Sequence, residues 1–281
     1  MTGIPQVLTI AGSDSGGGAG IQADIKTFQE LGVYSTTAIT AVTAQNTLGV
    51  DAIYPMAREA VQSQLKSVGT DFTISALKTG MLFNAEIIEE TARSIKAFGW
   101  GNLVMDPVMI AKGGADLLQQ EAVEALMHYL LPLAKTATPN IPEAEVLSGI
   151  IIKDPATRQK AAERILSFGA ESVVIKGGHG ADPEFTEDFY LHKNGESIIF
   201  RSARIDTTQT HGTGCTFAAA ITAGLAKGMP LKEAVCIAKQ FIQAALSDRL
   251  DIGAGHGPTN HGAYRNGNHG EVEVKTIEAF Q

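Results

Sequence analysis

Val7-Leu8-Thr9-Ile10-Ala11-Gly12-Ser13-Asp14-Ser15-Gly16-Gly17-Gly18-Ala19-Gly20 is followed by Ile21, Ile25, Phe28, Leu31 and a stop at Gly32. This stretch decides the fold class. Residues 7–11 are a short apolar run, which reads as a buried strand. Apolar residues every three or four positions then read as a helix, closed by glycine. Strand, glycine-rich turn and helix together open a βα unit.

The alternation repeats downstream. An apolar, β-branched run spans residues 34–42, followed by a helix at about 58–68, a strand at about 74–79 and a helix at about 85–97. A strand at 102–106 is broken by Pro107. A helix at 117–130, a strand at 135–138, a helix at 156–168 and a strand at 172–176 continue the series. Repeated βα order predicts an α/β fold, with a mostly parallel sheet covered by helices on both faces. Residues 186–202 differ: two short runs are joined by Asn194-Gly195, a strong hairpin signal, and read as an antiparallel edge. Helices at about 214–227 and 231–248 complete the core. No linker, charge block or repeat divides the chain, so residues 1–281 are expected to form one domain. The tail from residue 266 is expected to be loosely ordered.

Composition narrows the function. The 281 residues are 44% hydrophobic with a formal net charge of −8, which fits a globular protein and disfavours non-specific nucleic-acid binding. Anions must therefore be held by local groups. Two cysteines, Cys215 and Cys236, imply no disulfide framework. No signal-like or membrane-spanning apolar run is present, so a cytoplasmic protein without a membrane partner is expected.

One stretch carries an anion signal. In Thr210-His211-Gly212-Thr213-Gly214-Cys215-Thr216, two glycines flank Thr213 and a helix begins. A helix start offers unpaired N–H groups and a positive dipole end, and glycine lets the backbone approach an anion closely. A thiol there is expected to have its thiolate favoured. Anion site plus proton acceptor points to phosphoryl transfer. The Walker A and G-x-G-x-x-G patterns are absent, which disfavours P-loop and Rossmann proteins.

Six blocks together carry a family resemblance. They are residues 11–24, Lys78-Thr79-Gly80-Met81, Asp106-Pro107-Val108-Met109, Thr138-Pro139-Asn140-Ile141-Pro142-Glu143-Ala144, His211–Cys215, and Gly255-His256-Gly257-Pro258-Thr259-Asn260-His261. Their order and content resemble the ribokinase-like superfamily, and within it the hydroxymethylpyrimidine/phosphomethylpyrimidine kinases of thiamine biosynthesis. The resemblance implies a three-layer α/β/α fold, ATP as co-substrate, Mg²⁺ and a homodimer. A pyridoxine or pyridoxal kinase, alone or combined with the pyrimidine activity, is the alternative.

The resemblance also implies roles. Cys215 would accept the substrate hydroxyl's proton, and the amides of Gly212, Thr213, Gly214 and Cys215 would stabilise the phosphoryl charge. Asp106 and Glu143 would belong to the metal site, and Asn140, Lys176, His211 and Lys112 to the nucleotide. Gln45 would select the ring, because a carboxamide presents a donor and an acceptor side by side and so complements an aminopyrimidine edge. Gly12, Ala19, Met81 and Val108 would line the ring's pocket. Read alone, several of these residues have plainer explanations. Asn140 to Glu143 is an ordinary helix start, Met81 a core residue, Lys176 a strand end, and His211 a loop cap.

Overall fold

The computed structural model describes residues 3–109, 120–180, 182–267 and 269–277. The opening unit forms as the periodicity requires. β1 (Gln6–Asp14) runs through the glycine turn into α1 (Gly20–Glu30). β2 (Tyr34–Gln45), β3 (Val50–Pro55), α2 (Arg58–Asp71), β4 (Ile74–Thr79), α3 (Ala85–Phe98) and β5 (Leu103–Met105) follow. Next come α4 (Gln120–Ala125), β6 (Ala134–Ala137), α5 (Ile141–Ser148), α6 (Pro155–Leu166), β7 (Ser172–Ile175), β8 (Phe185–His192) and β9 (Ser197–Ala203). α7 (Thr213–Ala226), α8 (Leu231–Ser247) and β10 (Glu273–Ile277) close the described chain.

The described strands form one sheet in the order β10-β9-β8-β7-β6-β5-β4-β1-β2-β3. The run from β7 to β2 is parallel, and β3, β8, β9 and β10 are antiparallel. Side chains alternate across it as strand geometry demands. Leu8, Ile10, Leu77, Leu103, Met105, Val173 and Ile175 face α2 to α6. Val7, Ala76, Val104 and Val174 face α1, α7 and α8. These two helical layers with the sheet between them are the three-layer α/β/α arrangement.

The expected antiparallel hairpin forms as β8 and β9 toward one side of the sheet, one strand in from the edge. Two edge strands were not anticipated. β3 pairs antiparallel with β2 and is half exposed, so it lacks the alternation of a core-facing strand. β10 lies in the tail expected to be loosely ordered, yet it pairs antiparallel with β9. Its sequence, Glu-Val-Lys-Thr-Ile, is charged and mostly exposed, as suits a strand that ends a sheet.

Candidate active site

The parallel strands deliver their carboxyl ends to one edge, and the backbone stitches those ends together. Gly80 donates to the carbonyl of Ile10, Asp106 to Thr79, Thr138 to Met105, and Lys176 to Pro139. The chain winds outward from β1 in one direction to β2 and in the other to β4, so ligands are expected at that switch point. A cavity of about 330 Å³ opens there. Gly12, Ala19, Gln45, Met81, Val108, Asp106, Asn140, Glu143, Lys176 and His211 through Cys215 all line it. Residues far apart in sequence, Gly12 and Gly212 among them, therefore line one cavity. Lys112 lies outside the described residues.

Local chemistry explains the placement. Gly212 caps α7 with φ +88, and a Cβ on it would lie 1.8 Å from the carbonyl oxygen of Gly18, so only glycine fits. Its turn is pinned from the C-terminal block: His211 donates to the carbonyl of Gly257, and Thr259 donates to that of His211. Thr216 on α7 meets His261 Nε2 at 3.0 Å. At Gly12 a Cβ would sit 2.3 Å from Met81 Cε, so the absence of a side chain lets the methionine close that wall.

A second cavity of about 310 Å³ shares Asn140, Lys176, Thr210, Thr213 and Gly214 with the first. Ile205, Phe217, Ile242 and Leu246 give it an apolar wall, Arg204 gives it positive charge, and Lys239 is paired with Asp188, 2.8 Å away in the same lining. The beginning of α7 thus stands between two compartments, as a two-substrate transfer needs. Residues 14–260 match the model of the family described as phosphomethylpyrimidine kinase. The chain belongs to that family.

Relatives agree over nearly the whole length. A hydroxymethylpyrimidine/phosphomethylpyrimidine kinase of Haemophilus influenzae is 58% identical over 94% of this chain and 99% of its own. The pyridoxal kinase of Staphylococcus aureus, solved with AMP-PCP and pyridoxal, superposes with a TM-score of 0.90 at 38% identity, covering 98% of this chain and all of the other. A phosphomethylpyrimidine kinase from Clostridium difficile gives 0.75 at 42% identity, covering 86% of this chain and 98% of its own.

Within this kinase family framework the electrostatics correct one sequence expectation. Helix-start amides were expected to favour the Cys215 thiolate. Instead, withdrawal from water pushes the thiol up to about 11, with Asp24 and Asp106 adding to the rise, and Lys78 and the Gly20 amide only partly opposing it. His211, expected at the nucleotide, lines the first cavity together with Asn140 and Lys176, and its Nε2 lies 2.8 Å from Asp14 Oδ2.

The carboxylates are committed to local bonds. Asp106 Oδ1 accepts from Lys176 Nζ at 2.8 Å and from Thr138 at 3.2 Å. Burial pulls the Lys176 ammonium pKa down, but Asp106 and Glu143 outweigh it and hold the pKa above the ordinary value. Asn140 and Glu143 form a capping box at the start of α5, so the plainer reading of their spacing describes their geometry. Burial then raises the Glu143 carboxyl to about 7, Lys176 opposing and Asp106 reinforcing.

Sequence reasoning gave no role to Asp14. Its carboxylate gathers the amides of Gly16, Gly18 and Ala19, shaping the glycine turn around the cavity. Burial would raise its pKa, but the bonds from His211 and Ala19 hold it below the usual value. Asp-x-Gly is a known side-chain turn pattern and was the available signal. The buried pair Lys78–Asp24, 2.9 Å apart beneath Cys215, also escaped notice.

Proposed function

We propose that the protein transfers the γ-phosphoryl group of ATP to the hydroxymethyl oxygen of 4-amino-5-hydroxymethyl-2-methylpyrimidine, and then phosphorylates the monophosphate to the diphosphate. One observation carries this reading: Gln45 and the Gly212–Cys215 turn line the same cavity, and that turn also borders the second cavity. The acceptor ring would lie against Gln45 and the nucleotide in the second compartment. The amides of the α7 start would stabilise charge on the moving phosphoryl group. Cys215 would orient the hydroxyl and take its proton as the new O–P bond forms. Lys176 lines both compartments and would balance phosphate charge.

Magnesium belongs to this reading. Among the described residues no three His, Cys, Asp or Glu side chains converge to hold a metal. Asp106 and Glu143 offer two carboxylates in the first cavity, each with one oxygen already bonded. Mg²⁺ takes one or two carboxylates and completes its shell with water and phosphate, so this sparse pair fits an ion that arrives with ATP. When bound, the ion neutralises phosphate charge. A homodimer and a cytoplasmic location are further parts of the proposal; the two free cysteines support the latter.

Pyridoxal is the second reading, supported by the close superposition on the Staphylococcus aureus pyridoxal kinase. The Gln45 carboxamide favours an aminopyrimidine over a hydroxylated pyridine, because a buried unmatched amide costs about 1–3 kcal/mol. ADP release measured side by side with hydroxymethylpyrimidine, its monophosphate and pyridoxal decides between them. The pyrimidine alcohol should give the highest kcat/KM. Binding of that alcohol without ADP release would sink the kinase reading.

A further inference from the structure

Gln45 ends β2 at the first cavity, and among the described residues its carboxamide has two polar neighbours. Nε2 lies 3.3 Å from His211 Nε2, and Oε1 lies 3.1 Å from Thr43 Oγ1. A count of protons rules out the first of these contacts in that order. His211 Nε2 also lies 2.8 Å from Asp14 Oδ2. That carboxylate accepts the amides of Gly18 and Ala19 at Oδ2 and of Gly16 at Oδ1, bonds that belong to its ionised form. His211 must therefore carry a proton on Nε2. No lone pair is left there for an N–H of Gln45, and two donors would face each other.

The other side suits the opposite order of the amide. A threonine hydroxyl has one proton. The carbonyl of Ser13, 2.9 Å away, is its nearer acceptor, and Gln45 Oε1 at 3.1 Å the farther. With the proton on Ser13, Thr43 turns a lone pair toward Gln45 and is best met there by a donor. Oxygen and nitrogen of a carboxamide are assigned from their bonding partners. Exchanging them removes the conflict at His211 and gives Thr43 a donor. His211 Nε2–H then serves Asp14 and Gln45 Oε1 together, and Gln45 Nε2 donates to Thr43, whose own proton stays on Ser13.

We infer that Thr43 and His211, the latter held by Asp14, are positioning residues that fix the Gln45 carboxamide with Oε1 toward His211 and Nε2 toward Thr43, and that this order decides which way the acceptor ring lies. The second half rests on the proposed function. One lone pair of Oε1 and one N–H of Nε2 remain for a ligand. On the aminopyrimidine edge the hydroxymethyl group, the amino group and ring nitrogen N3 follow in that sequence. Oε1 takes the amino N–H, and Nε2 donates to N3. The hydroxymethyl group then falls beyond the amino group on the His211 side, where the chain continues directly into Gly212–Cys215. The reverse amide would turn the ring over and carry the hydroxymethyl group toward Thr43.

Two measurements test this. Neutron diffraction on the ligand-free protein separates nitrogen from oxygen directly and should find Gln45 Nε2 at Thr43; Nε2 at His211 overturns the inference. The second measurement is the ratio of kcat/KM for the amine to that for the analogue with a 4-oxo group, whose C4 substituent accepts and whose N3–H donates. Thr43→Val should lower that ratio at least about tenfold, mainly through KM for the amine, and Thr43→Ser should keep it. A merely structural role would depress both substrates alike, so an unchanged ratio in Thr43→Val overturns the specificity claim. If the wild type phosphorylates neither ring, the proposed function fails, and the neutron result still decides the amide.

Discussion

At Cys215 two local forces compete, and the sequence displays only one of them. Helix-start amides are legible in Gly-Thr-Gly-Cys, whereas the depth of the thiol depends on which side chains close over it. Burial wins, holding the group at about 11. Such a thiol is a strong base once ionised and scarcely ionised at neutral pH. If Cys215 is the base, kcat for the first transfer should rise about tenfold per pH unit on the acid side of that value. Cys215→Ala should abolish this slope and lower kcat roughly 10²–10⁴-fold, with little change in substrate dissociation constant. The second transfer should suffer less, because its acceptor oxygen is already ionised. Single-turnover rates for the two acceptors across pH check this; equal losses for both would remove the base role. Asp14 and Thr43 stayed hidden for a related reason. Their meaning lies in partners that sequence spacing does not reveal.

Among elements, the parallel strands and their helices were readable because apolar runs and helical periodicity record a two-sided core. β3 and β10 were not, since an edge strand buries too little to leave a pattern. The block from Gly255 to His261 was recognisable as a motif, but its task was not. It fastens the start of α7, through His211 and through the contact of His261 with Thr216. Burial lowers the His261 pKa to about 4, with Lys26 and His211 lowering it further. The unfolded chain, with a histidine near 6.5, then binds more protons than the folded one between these values. Stability is therefore full above about pH 6.5 and falls as the pH drops toward 4, by about 2 kcal/mol at pH 5. Denaturant midpoints at pH 7 and pH 5 measure it. His261→Gln should flatten the difference; an undiminished drop in that variant would place the titrating group elsewhere.

For the molecule as a whole, the sheet order puts the site near its middle and leaves β3 at one rim. Val42, Leu48 and Tyr54 expose apolar surface along that rim, at 43%, 73% and 63%. They are the face that the proposed homodimer would cover. Sedimentation equilibrium should return twice the 29.6 kDa chain mass, and Leu48→Lys with Tyr54→Lys should shift it toward the monomer. A wild-type monomer at micromolar concentration would dismiss the dimer. The bond between Asp14 and His211 spans 197 positions of chain. During synthesis the glycine turn leaves the ribosome long before its partner exists. No fragment that stops short of α7 can assemble the cavity, so an interrupted product has neither compartment closed by the Gly212–Cys215 turn. Competence to bind both substrates arrives late in translation, with the last two helices.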